Sequence, residues 1–131
     1  TALGTGTVWT NGPQITIAAS TTTFTIPNGS SNFNTTESLR QVIVTRAGVL
    51  RNFYVRTTTA QPASGSLVLT IRVNGASTSI TVTIAASGAA QTISDTINTA
   101  SFVAGDLISI QAVNNATVAS AQVRQVAMEV E

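Results

Sequence analysis

The sequence predicts an all-β fold, an antiparallel β-sandwich, and three observations predict it. Apolar and polar residues alternate with period two through most of the 131 residues. The alternating runs are short and β-branched, and Gly, Asn, Pro and Ser punctuate them as turns do. No stretch carries the three-to-four-residue apolar spacing of a surface helix.

In chain order, residues 1–20 stand apart, with Gly4, Gly6, Gly12 and Pro13 set among threonines around a lone Trp9. They read as an extended N-terminal arm or a peripheral first strand, ahead of a single sandwich domain over residues 21–131. Strands are expected at 14–18 and 22–26. Residues 27–36, with Asn28-Gly29, Asn32 and Asn34, form the longest polar loop, a type that often contacts partners. Further strands follow at 39–46 and 49–58.

The clearest strand covers residues 66–73, where Leu67, Leu69, Ile71 and Val73 point one way and Val68, Thr70 and Arg72 the other. Asn74-Gly75 then tolerates the positive φ angles of a tight hairpin. Ile80, Val82 and Ile84 alternate with Thr81 and Thr83 on the return. Residues 85–90 are Ala-rich, but Ser87 and Gly88 interrupt them and helix is weakly supported. The remaining strands fall at 91–96, 107–113 and 122–130, with turns at Ala104-Gly105-Asp106 and Asn114-Asn115. About nine strands result, and alternation alone leaves their order open between jelly roll and immunoglobulin-like sandwich.

Cys, His and Lys are all absent, and only 8% of residues are charged. Thiolate and imidazole catalysis, Schiff-base lysines and Cys/His zinc sites are thereby removed. A glycosidase needs two facing carboxylates, and of Glu37, Asp95, Asp106, Glu129 and Glu131 only Glu37 and Asp95 are free of a turn or the chain end. The expectation is a protein that is not an enzyme and holds no cofactor. Asp106, Asn114 and Asn115 have the oxygens of a calcium site, but their spacing matches no EF-hand and turn formation is the expected role.

The arginines, Arg40, Arg46, Arg51, Arg56, Arg72 and Arg124, are scattered and make no track for nucleic acid. No apolar run approaches the ~20 residues of a membrane helix, so no membrane partner is expected, and synthesis is assigned to the cytoplasm. So little surface charge favours self-association. If Phe53 and Val55 are core, Tyr54 and Arg56 face outward as an interface anchor. Trp9, Phe33, Arg51, Tyr54 and Arg56 are the candidate interface residues.

Val49-Leu50-Arg51-Asn52-Phe53-Tyr54-Val55-Arg56, Gln61-Pro62-Ala63-Ser64-Gly65-Ser66, Arg72-Val73-Asn74-Gly75, Thr81-Val82-Thr83-Ile84, Val103-Ala104-Gly105-Asp106 and Val113-Asn114-Asn115-Ala116 occur in this order. Over these C-terminal two thirds the chain resembles the small jelly-roll virion proteins of tailed bacteriophages: capsid decoration (cement) proteins, tail-fibre heads and, more distantly, C1q/TNF-like domains. The resemblance implies a jelly roll and a homotrimer. It also implies a place on the capsid surface of the virion, with the major capsid protein as partner. No collagen-like or coiled-coil lead occurs in these 131 residues, which favours decoration if they are the whole product and, if they are an excised domain, the alternative, a trimeric receptor-binding head that holds a host-surface saccharide (glycan).

Overall fold

A computed structural model describes residues 7–12, 15–29, 32–58, 61–86, 89–117 and 119–131. Twelve strands lie among them: β1 (Thr7–Asn11), β2 (Ile15–Ile17), β3 (Thr22–Thr25), β4 (Val42–Ile43), β5 (Gly48–Arg56), β6 (Leu67–Val73), β7 (Ala76–Ile84), β8 (Thr92–Asp95), β9 (Ala100–Phe102), β10 (Leu107–Asn114), β11 (Ala121–Val123) and β12 (Gln125–Val130). The only helical piece among the described residues is a 3-10 turn, Glu37–Arg40. The all-β expectation holds.

The strands form two five-stranded antiparallel sheets and a short ribbon. In the first sheet the order is β1-β12-β5, with β8 and β9 both paired to the far side of β5. In the second, β3 and β4 share one side of β10, followed by β6 and β7. The ribbon pairs β2 with β11. One buried cluster draws on both sheets: Leu50, Phe53, Val55, Val126 and Met128 from the first, Leu69, Ile71, Val82, Ile84, Ile108 and Ile110 from the second. That shared core makes the molecule sandwich-like.

The pairings nest. β6 pairs with β7, β5 with β8 and β9, β3 and β4 with β10, β2 with β11, and β1 with β12. The chain is therefore one long hairpin whose tip is the turn at Asn74 (φ 52°) and Gly75 (φ 77°). Both central residues have the positive φ that a two-residue hairpin loop requires, as the dipeptide predicted.

Several elements depart from the sequence reading. The strand expected over 39–46 shrinks to β4, because Glu37 and Arg40 leave the sheet line to bond elsewhere and 37–40 coils into a 3-10 turn. β3 and β4 lie end to end along β10, and the described residues 26–29 and 32–41 form the excursion between them, longer than the loop expected over 27–36. The strand expected over 122–130 breaks at Arg124 into β11 and β12, and β9 was not anticipated. Of the Ala-rich stretch, residues 87 and 88 lie outside the described residues, as do Pro13 and Gln14. Thr7–Asn11 is the outermost strand of the first sheet, while residues 1–6 also lie outside.

β5 carries a bulge. Arg51 faces Glu129 and Tyr54 faces Ala127, so Asn52 and Phe53 both oppose Met128. Asn52 takes the left-handed conformation, φ 52°, which Asn tolerates better than most residues. The extra residue resets the alternation, so Leu50, Phe53 and Val55 all point into the core.

Candidate functional site

All five carboxylates are engaged within the chain. Arg72 on β6 donates from Nε to Glu37 Oε1 at 2.7 Å and from Nη2 to Oε2 at 3.2 Å, and the buried Ser109 hydroxyl donates to Oε1 at 2.8 Å. The guanidinium also lies 5.6 Å from the Phe24 ring centre, within cation–π range. Through Glu37, this cluster fastens the excursion to the second sheet. Burial tends to raise the Glu37 pKa, but the Arg72 and Ser109 hydrogen bonds and the Arg72 charge together hold it below the ordinary value.

Asp95 ends β8 and organises the turn after it. Its carboxylate accepts from the backbone N–H of Ile97 (3.1 Å), the N–H (3.0 Å) and Nδ2 (2.9 Å) of Asn98, and the N–H of Thr81 on β7 (3.2 Å). Burial opposes ionisation, yet these donors overcome it and lower the pKa to about 2. Glu37 and Asp95 share no partner, and each serves as a structural acceptor.

Asp106 accepts from the Val103 N–H and the Asn74 Nδ2, both at 2.8 Å, and these bonds lower its pKa. Asn74 Oδ1 in turn accepts from the Leu107 N–H, so the hairpin tip and the 103–106 turn are clasped together. Glu129 accepts from Arg51 and Asn52, and Glu131 pairs with Arg51. Asn114, buried at 1% exposure, donates to the carbonyls of Ile17, Ala18 and Ala119 and accepts from the Ala116 N–H. Among the described residues, no group of three or more His, Cys, Asp or Glu is arranged to hold a metal ion. No described helix is long and apolar enough to cross a membrane.

The five candidate interface residues separate into three places. Tyr54, 43% exposed, and Arg56 point outward from β5, opposite the buried Phe53 and Val55. Arg51 shares β5 and pairs through Nη2 with Glu129 and Glu131. Val8, Asn52, Tyr54, Ala127 and Glu129 line a shallow depression of about 320 Å³ on this outer face. Phe33 is half-buried against the core from the excursion.

Trp9 faces the other way. Its register partner Met128 is buried, and Trp9 lies partly buried against the core. It lines a groove of about 360 Å³. The buried or half-buried Trp9, Val44, Phe102 and Val130 make its floor, and the exposed Ile43 and Arg46 stand at its rim. Gly48 lets Phe102 approach: a Cβ there would fall 2.6 Å from the ring and 2.6 Å from the Glu131 carbonyl oxygen.

Sequence reasoning missed the exposed aliphatic residues. Ile97 is 88% exposed, Val8 68% and Ile43 67%. The signal for Ile97 was present, since an apolar residue between Asp95 and Asn98 falls inside turn chemistry and has no strand face to bury on. No known family model and no curated protein matches this chain.

Proposed function

We propose that the chain is a jelly roll that works by contact rather than catalysis: a homotrimeric decoration protein on the outer capsid surface of a virion, bracing the lattice of the major capsid protein. The observation that carries the reading is the nested pairing, with strand orders 1-12-5-8/9 and 3/4-10-6-7 in the two sheets. A long hairpin wound around a sandwich gives this alternation of early and late strands, and it agrees with the family the sequence resembles. The engagement of every carboxylate in turns and ion pairs supports a non-catalytic role. The exposed Val8, Ile43, Tyr54 and Ile97 supply apolar contact area on a surface with few ions to desolvate.

The N-terminal arm enters this reading as β1 and the residues before it. The backbone of Thr10 is covered by Asn28 and Gly29, which leaves the Val8 end of this edge strand as the part suited to a neighbour. Deleting residues 1–6 spares β1, and undiminished capsid binding by that variant confines the arm's contact to β1; undiminished binding by Val8→Asp as well discards the arm.

A second reading, a trimeric receptor-binding head, is favoured by one observation. Trp9 with Arg46 at the groove rim is an aromatic platform beside a donor, a pairing suited to a saccharide. The deciding experiment mixes purified protein with expanded, undecorated capsids and images them. Symmetric added density is expected. A monomer in solution that leaves capsids bare sinks the decoration reading, and glycan binding lost in Trp9→Ala selects the second.

A further inference from the structure

We propose that Asn28-Gly29 is a site of spontaneous deamidation, at which the chain converts Asn28 to isoaspartate and uncovers the β1 edge at Thr10. Asparagine is chemically labile, and this reaction needs only water. The Gly29 backbone nitrogen, once it has lost its proton, attacks Cγ of Asn28, and the Cγ–Nδ2 bond breaks to release ammonia. Water then opens the succinimide ring at either carbonyl, which leaves aspartate or isoaspartate and consumes no oxidant or cofactor.

Three Asn-Gly pairs occur, at 11–12, 28–29 and 74–75, and glycine, with no side chain, hinders the attacking nitrogen least. Two of the pairs are clamped. Asn11 is buried, and its Nδ2 donates to Thr25 Oγ1 at 2.9 Å and to the Ile26 carbonyl at 2.8 Å. Asn74 is exposed, but its Nδ2 donates to Asp106 at 2.8 Å and its Oδ1 accepts from the Leu107 N–H at 2.9 Å. Neither carboxamide can swing onto the following nitrogen without breaking two hydrogen bonds.

Asn28 differs. It is exposed, its Oδ1 accepts from the Thr10 N–H at 3.3 Å, and its Nδ2 has no partner among the described residues. The nucleophile is held once, by the bond from the Gly29 N–H to the Thr10 carbonyl at 3.0 Å. Both restraints therefore sit on one residue of an edge strand, and fraying of that edge frees the carbon and the nitrogen together. Gly29 cannot be exchanged without strain, because its φ of 120° suits glycine and a Cβ would lie 3.2 Å from Ile26 Cδ1. The backbone that covers Thr10 thus requires the residue that makes Asn28 reactive. Isoaspartate runs the main chain through the former side chain and adds a methylene between 28 and 29. Positions 28 and 29 then no longer both reach Thr10, and the open edge of β1 lengthens.

The test ages the native protein in mildly alkaline buffer and maps its peptides by mass spectrometry. A gain of one mass unit is expected at Asn28 about tenfold sooner than at Asn11 or Asn74, the factor that one further hydrogen bond withholds. Its rate should rise in proportion to hydroxide. Asn28→Gln, which would have to close a less favourable six-membered ring, should lose the gain at that peptide and stay folded. Amide exchange at Thr10 should be faster in the aged protein than in Asn28→Gln aged beside it. Urea-unfolded protein should react at all three pairs alike. Native deamidation that begins at Asn11 or Asn74, or that runs equally at all three, overturns the assignment. So does an Asn28 that stays intact in the folded protein while reacting in urea. Thr10 exchange unchanged in the isoaspartate form overturns the uncovering, and none of these outcomes depends on the trimer reading.

Discussion

Four donors converge on the Asp95 carboxylate, and its pKa of about 2 lies below the ordinary 3.8. A depressed acid adds stability above its unfolded pKa and loses it as pH falls through the folded value, because the unfolded chain takes up the proton first. Stability should therefore decline by about 2 kcal/mol between roughly pH 4 and pH 2, and urea titrations across that range measure it. Asp95→Asn should flatten that part of the profile. Asn114 is the neutral counterpart, since its amide serves three carbonyls and one N–H in a dry setting. Asn114→Ala strands those groups and should cost about 3 kcal/mol, read as a lowered urea midpoint with an unchanged slope.

At the level of elements, alternation was legible wherever a strand keeps a strict period of two. Leu67, Leu69 and Ile71 are buried as their spacing implied, and so are Phe53 and Val55 opposite Tyr54 and Arg56. It was illegible at the β5 bulge, where Asn52 adds a residue and puts Leu50 out of phase. The loop over 27–36 was legible from its polar composition, but its attachment to the second sheet was hidden. It is held by the Glu37–Arg72 ion pair between groups far apart in sequence, and no local pattern encodes such a pair. Glu37→Gln keeps one hydrogen bond and loses the charge, so faster amide exchange in residues 32–41 is expected with little change in the core. The groove was illegible for a related reason: Trp9, Arg46 and Phe102 come from three separate strands and turns, and Ile97 gains meaning only once its exposure is known. Gly48→Ala would force Phe102 and the Glu131 carbonyl to move, at about 1–3 kcal/mol, with a lower melting temperature and altered Trp9 emission.

For the whole molecule, the nested pairing sets an order of events as well as a shape. Contacts near the tip at Asn74-Gly75 close short loops, while β1 must find β12 across nearly the whole chain. Folding is then expected to run like a zipper from the tip outward, in the millisecond-to-second range of folds dominated by distant pairings. During synthesis the first sheet waits for its inner strand, because β12 lies between β1 and β5 and leaves the ribosome after both. Thr7 and Val130 are register partners, so the two ends of the sheet lie side by side and a short linker can join them. A circular permutant joined there and opened between Asn74 and Gly75 retains the pairings but loses the tip. It should reach the same far-ultraviolet spectrum while refolding about tenfold more slowly, and an unchanged rate would locate the folding nucleus elsewhere.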